Sequence, residues 1–99
     1  MNITKMKKEN TLFLVLEGRL DTTTAPQFQE VFIPEIDQEK YICLDCRDLV
    51  YVSSAGLRII LLGEKIAQEK SCEITLTNVS EEILEVLEMT GFSEILRVE

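Results

Sequence analysis

The chain has no histidine and no tryptophan, and it carries only four glycines, two prolines and three cysteines. Without histidine, the commonest general base, the usual partner of a nucleophilic serine and the commonest metal ligand are all missing. Catalysis would have to run on carboxylates, hydroxyls, lysines or thiols, and no metal or cofactor is called for. Basic residues are also short. Ten lysines and arginines stand against 18 aspartates and glutamates, a net charge of −8. A duplex nucleic-acid binder needs the opposite balance, because its affinity comes from displacing counterions from phosphates. Direct nucleic-acid binding is therefore not expected. No apolar run reaches the ~20 residues of a membrane-spanning helix, and the N-terminus has no apolar leader core. The expectation is a soluble protein of a reducing cytoplasm, without membrane insertion.

The cysteines, Cys43, Cys46 and Cys72, are odd in number and too few for a disulfide framework. Cys43 and Cys46 have the spacing of a zinc half-site, but no second pair exists to complete it. A redox pair needs its first thiol at a helix N-terminus. Here the pair falls on a strand-like run, Tyr41-Ile-Cys-Leu-Asp-Cys46, where residues three apart point to opposite faces. Small buried apolar side chains are the expectation. Asp45 and Asp48 are read as backbone caps rather than metal ligands. Lys5, Lys7 and Lys8 are read as a solvated edge that deters sheet-to-sheet pairing.

What is present suffices for one domain over residues 1–99. Hydrophobic residues are 45% of the chain, too rich for disorder. A chain of this size buries roughly two-thirds of its unfolded surface, enough for a modest core. Thr11-Leu-Phe-Leu-Val-Leu-Glu17 reads as a buried strand stopped by Gly18, with Ile3–Lys8 pairing to it across Glu9-Asn10. Asp21-Thr-Thr-Thr24 is a capping cluster, and Pro26 suits the first turn of a helix with Phe28, Val31 and Phe32 on one stripe. Pro34 ends or kinks that helix. Tyr41–Cys46 is the next strand. A helix spans Ala55 to about Gln68, with Leu57, Ile60 and Leu61 on one stripe. Cys72–Thr77 alternates as a strand, and Ser80 caps a helix whose first turn holds Glu81 and Glu82. Gly91 is its C-cap, and Ile95–Val98 reads as a closing edge strand. The order β-β-α-β-α-β-α-(β) predicts an α/β fold: a mixed sheet with an N-terminal hairpin and parallel crossovers, packed with helices.

Functional groups in such sheets gather where crossover loops leave the carboxyl ends of strands. Two polar loops qualify, Gly18–Thr24 and Arg47–Ser54. The second runs into Ser53-Ser54-Ala55-Gly56, two hydroxyls at the start of a helix beside a glycine. Either serine serves as an N-cap. The same position also prepares a phosphate site, because backbone N–H groups and the helix dipole accommodate a dianion. Gly56 would admit a close backbone approach by a partner.

These residues carry a resemblance. Val15-Leu-Glu-Gly-Arg-Leu-Asp21, Thr24-Ala25, Ile42-Cys-Leu-Asp45, Val52-Ser-Ser-Ala-Gly-Leu57 and Leu87-Glu-Met-Thr-Gly-Phe92 resemble, in order, the motifs of STAS domains of the anti-sigma factor antagonist family. The match runs from about residue 12 to the end. It implies a STAS-type sheet and a non-enzymatic, bacterial regulator of transcription. Such a protein binds an anti-sigma factor that is also a serine kinase and so releases a sigma factor. Phosphorylation of the switch serine weakens binding, and a PP2C-type phosphatase restores it. Carried over by motif, the phosphoacceptor is Ser54 with Ser53 as a rival, and Asp21 is the loop aspartate at the partner surface. That surface takes in Thr22, Thr23, Ser53, Ser54, Ala55, Gly56, Leu57 and Arg58. The sequence departs from the pattern in Ser53, where the family has aspartate, in Ala55, where it has a second hydroxyl, and in Arg58. Arg58 lies one turn beyond Ser54 and is either solvated or a partner for a phosphate. The helix's apolar stripes are expected to be core, with Leu57 or Leu61 at the rim available to a partner. Two other roles accompany the resemblance: an accessory subunit of a lipid or anion transporter, and a nucleotide-binding module. The chain has no Walker-type loop to support the last.

Overall fold

The computed structural model describes residues 1–99. Strand β1 (Asn2–Lys8) and strand β2 (Thr11–Leu20) form an antiparallel hairpin, turned at Glu9 with its φ at +57°. Helix α1 (Ala25–Phe32) follows, then a 3-10 turn over Ile33–Asp37. Strand β3 (Tyr41–Val52), helix α2 (Ser54–Lys70), strand β4 (Glu73–Thr77), helix α3 (Glu81–Thr90), a 3-10 turn at Phe92–Glu94 and the short strand β5 (Arg97–Val98) complete the chain. The sheet has the order β1-β2-β3-β4-β5, antiparallel at the first pair and parallel thereafter. The mixed α/β sheet with an N-terminal hairpin and parallel crossovers is thus the architecture observed.

One face of the sheet makes the core. Leu12, Leu14 and Leu16 of β2, Ile42, Leu44 and Cys46 of β3, and Ile74 and Leu76 of β4 are buried. They share one hydrophobic cluster with Phe28 and Phe32 of α1, Ile60 and Ala67 of α2, and Ile83 and Leu87 of α3. The alternation along β2 and β4 is what the pleat requires, since successive side chains point to opposite faces. Phe28 and Phe32 stack with ring centroids 5.0 Å apart. Gly63 lies against the Phe32 ring, so a methyl group there would overlap that ring. Its absence of a side chain lets α1 and α2 approach closely.

Two strands run further than their sequence patterns indicate. Gly18 does not end β2; it sits within the strand at φ +106°, and pairing with β3 continues to Leu20. Likewise β3 continues through Arg47–Val52, which the broken alternation marks as a loop. The physical reason is a pair of register irregularities between β2 and β3. The pairing steps from Val15↔Asp45 to Glu17↔Asp48, then from Gly18↔Leu49 to Arg19↔Tyr51, so β3 carries one extra residue at each. A bulge of this kind shifts which side chain faces inward. Buried positions therefore pass from a spacing of two, Ile42-Leu44-Cys46, to three, Cys46-Leu49-Val52. β5 is shorter than expected, and Ile95 lies outside it, half exposed.

The smaller expectations resolve in the same terms. Cys43 and Cys46 point to opposite faces and all three thiols are buried, unbonded to one another. Cys43 Sγ lies 3.2 Å from Thr77 Oγ1. Burial pushes all three thiols up, Cys46 to about 12. Asp45 accepts hydrogen bonds from the Arg47 backbone N–H (3.1 Å) and from Asn78 Nδ2 (3.0 Å), the capping role. Lys5, Lys7 and Lys8 are exposed on the edge strand as expected, and Lys5 and Lys7 also pair with Glu35 (2.7 Å) and Glu39 (3.1 Å) of the segment after α1.

Candidate functional site

The carboxyl ends of β2 and β3 bring the two motif regions together. Leu20 is the last residue of β2, and its carbonyl accepts the Ser53 backbone N–H at 2.9 Å. The loop Asp21–Thr24 and the start of α2 therefore leave the sheet side by side. This is the carboxyl-end location where ligands and partners of such sheets gather.

Asp21 organises its loop. One carboxylate oxygen accepts the backbone N–H groups of Thr23 (3.0 Å) and Thr24 (3.1 Å). Thr24 Oγ1 accepts the Asp21 N–H at 2.9 Å and donates to the Arg19 carbonyl at 2.7 Å. The hydrogen bonds from the Thr24 and Thr23 backbones, with the Arg19 guanidinium nearby, hold the Asp21 carboxyl below the usual carboxylate range. The cluster read from the sequence as a helix cap thus closes the loop on itself. Thr24, the N-cap of α1, makes no side-chain bond to the helix's own N–H groups.

The two serines have different roles. Ser53 adopts extended backbone at φ −95°, ψ 173° and caps α2, its Oγ accepting the Gly56 N–H at 3.4 Å. Ser54 is the first residue of α2, exposed, and its hydroxyl makes no hydrogen bond within the protein. The first turn of α2 holds no acidic side chain, whereas α3 begins with Glu81 and Glu82. The positive end of the α2 dipole is left without a carboxylate.

Gly56 and Leu57 depart from expectation. Gly56 is buried, and a Cβ there would sit 2.5 Å from Leu20 Cγ and 3.1 Å from the Leu20 carbonyl oxygen. The glycine admits this protein's own β2, not an outside backbone. Leu57 is 4% exposed and belongs to the core cluster, so it presents little to a partner; Leu61 is the half-buried neighbour. Ala55 is half-buried. Thr22, Thr23, Ser54 and Arg58 are exposed, with Asp21 and Ser53 partly so. Ser54 and Arg58 border one cleft of about 250 Å³ together with Leu61, Thr90 and Phe92. Arg58 is in no ion pair.

Sequence reasoning missed Arg19 and Tyr51. The Arg19 guanidinium lies 4.2 Å over the Tyr51 ring, and its Nε is 3.6 Å from Asp21 Oδ2. The cation is thereby shared between a ring face and a carboxylate. No sequence signal marks this pair, because an unbroken register from Val15↔Asp45 would set Arg19 beside Leu49. The two extra residues in β3 bring Tyr51 there instead.

The chain and its fold have counterparts among known proteins. BtrV of Bordetella bronchiseptica, a protein that carries the name of an anti-sigma factor antagonist, is 32% identical over 99 residues, covering 99% of this chain and 85% of its own. A Thermotoga maritima structure named in the same way superposes with a TM-score of 0.90 at 18% identity, over 97% of this chain and 84% of that one. The anti-sigma factor antagonist SpoIIAA in its unphosphorylated form superposes at 0.78, with 19% identity over 99% and 87%. It has also been solved in a phosphorylated form, as a Bacillus cell fate determinant. The STAS domain model matches residues 2–99, and the chain belongs to the STAS domain family.

Proposed function

We propose that this chain is an anti-sigma factor antagonist switched by phosphorylation at Ser54. It binds an anti-sigma factor that is itself a serine kinase, and binding releases a sigma factor. The kinase phosphorylates Ser54 and ends the interaction, and a PP2C-type phosphatase reverses the modification. The names of the relatives support the general role. The single observation that carries the switch is the division of labour between the serines. Ser53 caps α2 through Gly56, while Ser54 stands exposed at the first helical position with its hydroxyl unengaged.

The chemistry follows from that position. A phosphoserine adds about −1.5 to −2 charge at neutral pH. At the amino end of α2 the charge meets backbone N–H groups and the positive dipole, with no carboxylate in that turn to repel it. The domain stays folded. A partner packed over Asp21, Thr22, Thr23, Ser53, Ser54, Ala55 and Arg58 would instead have to desolvate the phosphate, and binding weakens. Ser53 in place of the family's aspartate removes one charge from the kinase's approach and supplies the cap.

The experiment is a titration of the candidate anti-sigma kinases of the source organism with wild-type protein and with Ser54→Asp. Wild type is expected to bind, and Ser54→Asp to bind at least tenfold more weakly while its thermal unfolding stays cooperative. Equal binding by a folded Ser54→Asp protein overturns the switch.

A further inference from the structure

Beside the end of β3 lies a groove that the Ser54 switch does not use. Strand β4 pairs only with Tyr41–Asp45 of β3, so no strand lies against Cys46–Val52 on that side. The groove, about 230 Å³, is formed there by Val50, Tyr51 and Val52 of β3 with Glu82, Ile83 and Val86 of α3. Val50 is 66% exposed, Tyr51 42% and Val86 37%. Single exposed apolar residues are ordinary; three converging on one concavity mark a contact surface.

The helix that walls the groove is acidic, and its Glu82 lines the groove directly. Glu81, Glu82, Glu85 and Glu88 of α3 are exposed, α3 contains no basic residue, and no ion pair of the molecule reaches it. Two cations lie nearby: Arg47, which borders the adjoining cleft with Glu81 and Glu82, and Arg19, which stacks over the Tyr51 ring and is already paired with Asp21. We propose that this groove docks a segment of a partner protein in which an aliphatic side chain is flanked by lysine or arginine. The valines receive the aliphatic group and the glutamates of α3 pair with the cations. A second copy of this chain is a poor occupant, since it would set the same acidic rim against itself. Nucleic acid is repelled for the same reason.

The test is an NMR titration of the isotope-labelled chain with two short synthetic peptides. One alternates leucine with lysine, and its twin carries glutamate at every lysine position. The lysine peptide is expected to shift the amides of Val50–Val52 and Glu82–Val86 saturably. Val86→Asp, or the pair Glu82→Lys and Glu85→Lys, should weaken it roughly tenfold or more. Shifts scattered over the acidic surface and unchanged in Val86→Asp overturn the proposal, as does an equal response to the glutamate twin. Self-association of the chain that Val86→Asp abolishes, read by sedimentation, assigns the groove to a second copy and also overturns it. Should Val86→Asp fail to fold, Val50→Asp, at the more exposed side chain, provides the same comparison.

Discussion

Gly56 shows how closely the site depends on single atoms. Its missing side chain is the space that Leu20 occupies, and the Leu20 carbonyl also holds Ser53. Gly56→Ala is expected to destabilise the protein by about 1–3 kcal/mol, the usual cost of overpacking a filled core, as a lower urea midpoint at unchanged slope. Asp21 makes a second prediction at this scale. Its carboxyl is held below the ordinary value by the loop N–H groups, so the unfolded chain takes up its proton first as pH falls. The stabilisation is present above the unfolded pKa of about 3.9 and is lost as pH falls through the folded value. Asp21→Asn should therefore lose less stability than wild type on acidification through that window, measured by thermal unfolding. Cys46, with its thiol pushed up to about 12, should resist alkylation at neutral pH until the protein unfolds. That Asp21 lies in a loop and that Ser53 and Ser54 stand at a helix start was legible in the sequence, from the capping residues and the helical patterns that follow them. Arg19 and Tyr51 were not, since their meeting depends on register between strands.

At the scale of elements, strands that alternate and helices with clear caps could be read directly. β4 alternates buried and exposed side chains as its sequence does. α3 begins at Ser80, whose Oγ accepts the Ile83 N–H at 3.2 Å, and ends at Gly91 with φ +81°. Ser80→Ala should cost about 1 kcal/mol, a typical value for a lost N-cap, without moving the Ser54 region. The far half of β3 was hidden for a physical reason. Its two extra residues convert a two-residue inward period into three, which imitates neither a regular strand nor a helix. The consequence is local: those residues lengthen β3 past β4 and leave Val50 and Tyr51 facing outward. The candidate site lies at the end of that overhang.

For the whole molecule, the net charge of −8 shapes how any partner is recognised. Long-range attraction to a basic surface is screened over about 10 Å at 0.1 M salt, so association should slow as salt rises. Phosphorylation adds to a charge already negative, so a phosphorylated form is repelled by all but basic surfaces. The absence of histidine leaves little catalytic equipment, and the proposed role as substrate of another protein's kinase needs none. The most direct test of that account is co-expression with candidate anti-sigma kinases, followed by intact-mass measurement and peptide mapping. The account predicts a single added phosphate on Ser54, absent from Ser54→Ala and removed by a PP2C-type phosphatase. An unmodified chain with a kinase that binds it, or a phosphate on Ser53 with Ser54 untouched, would contradict it.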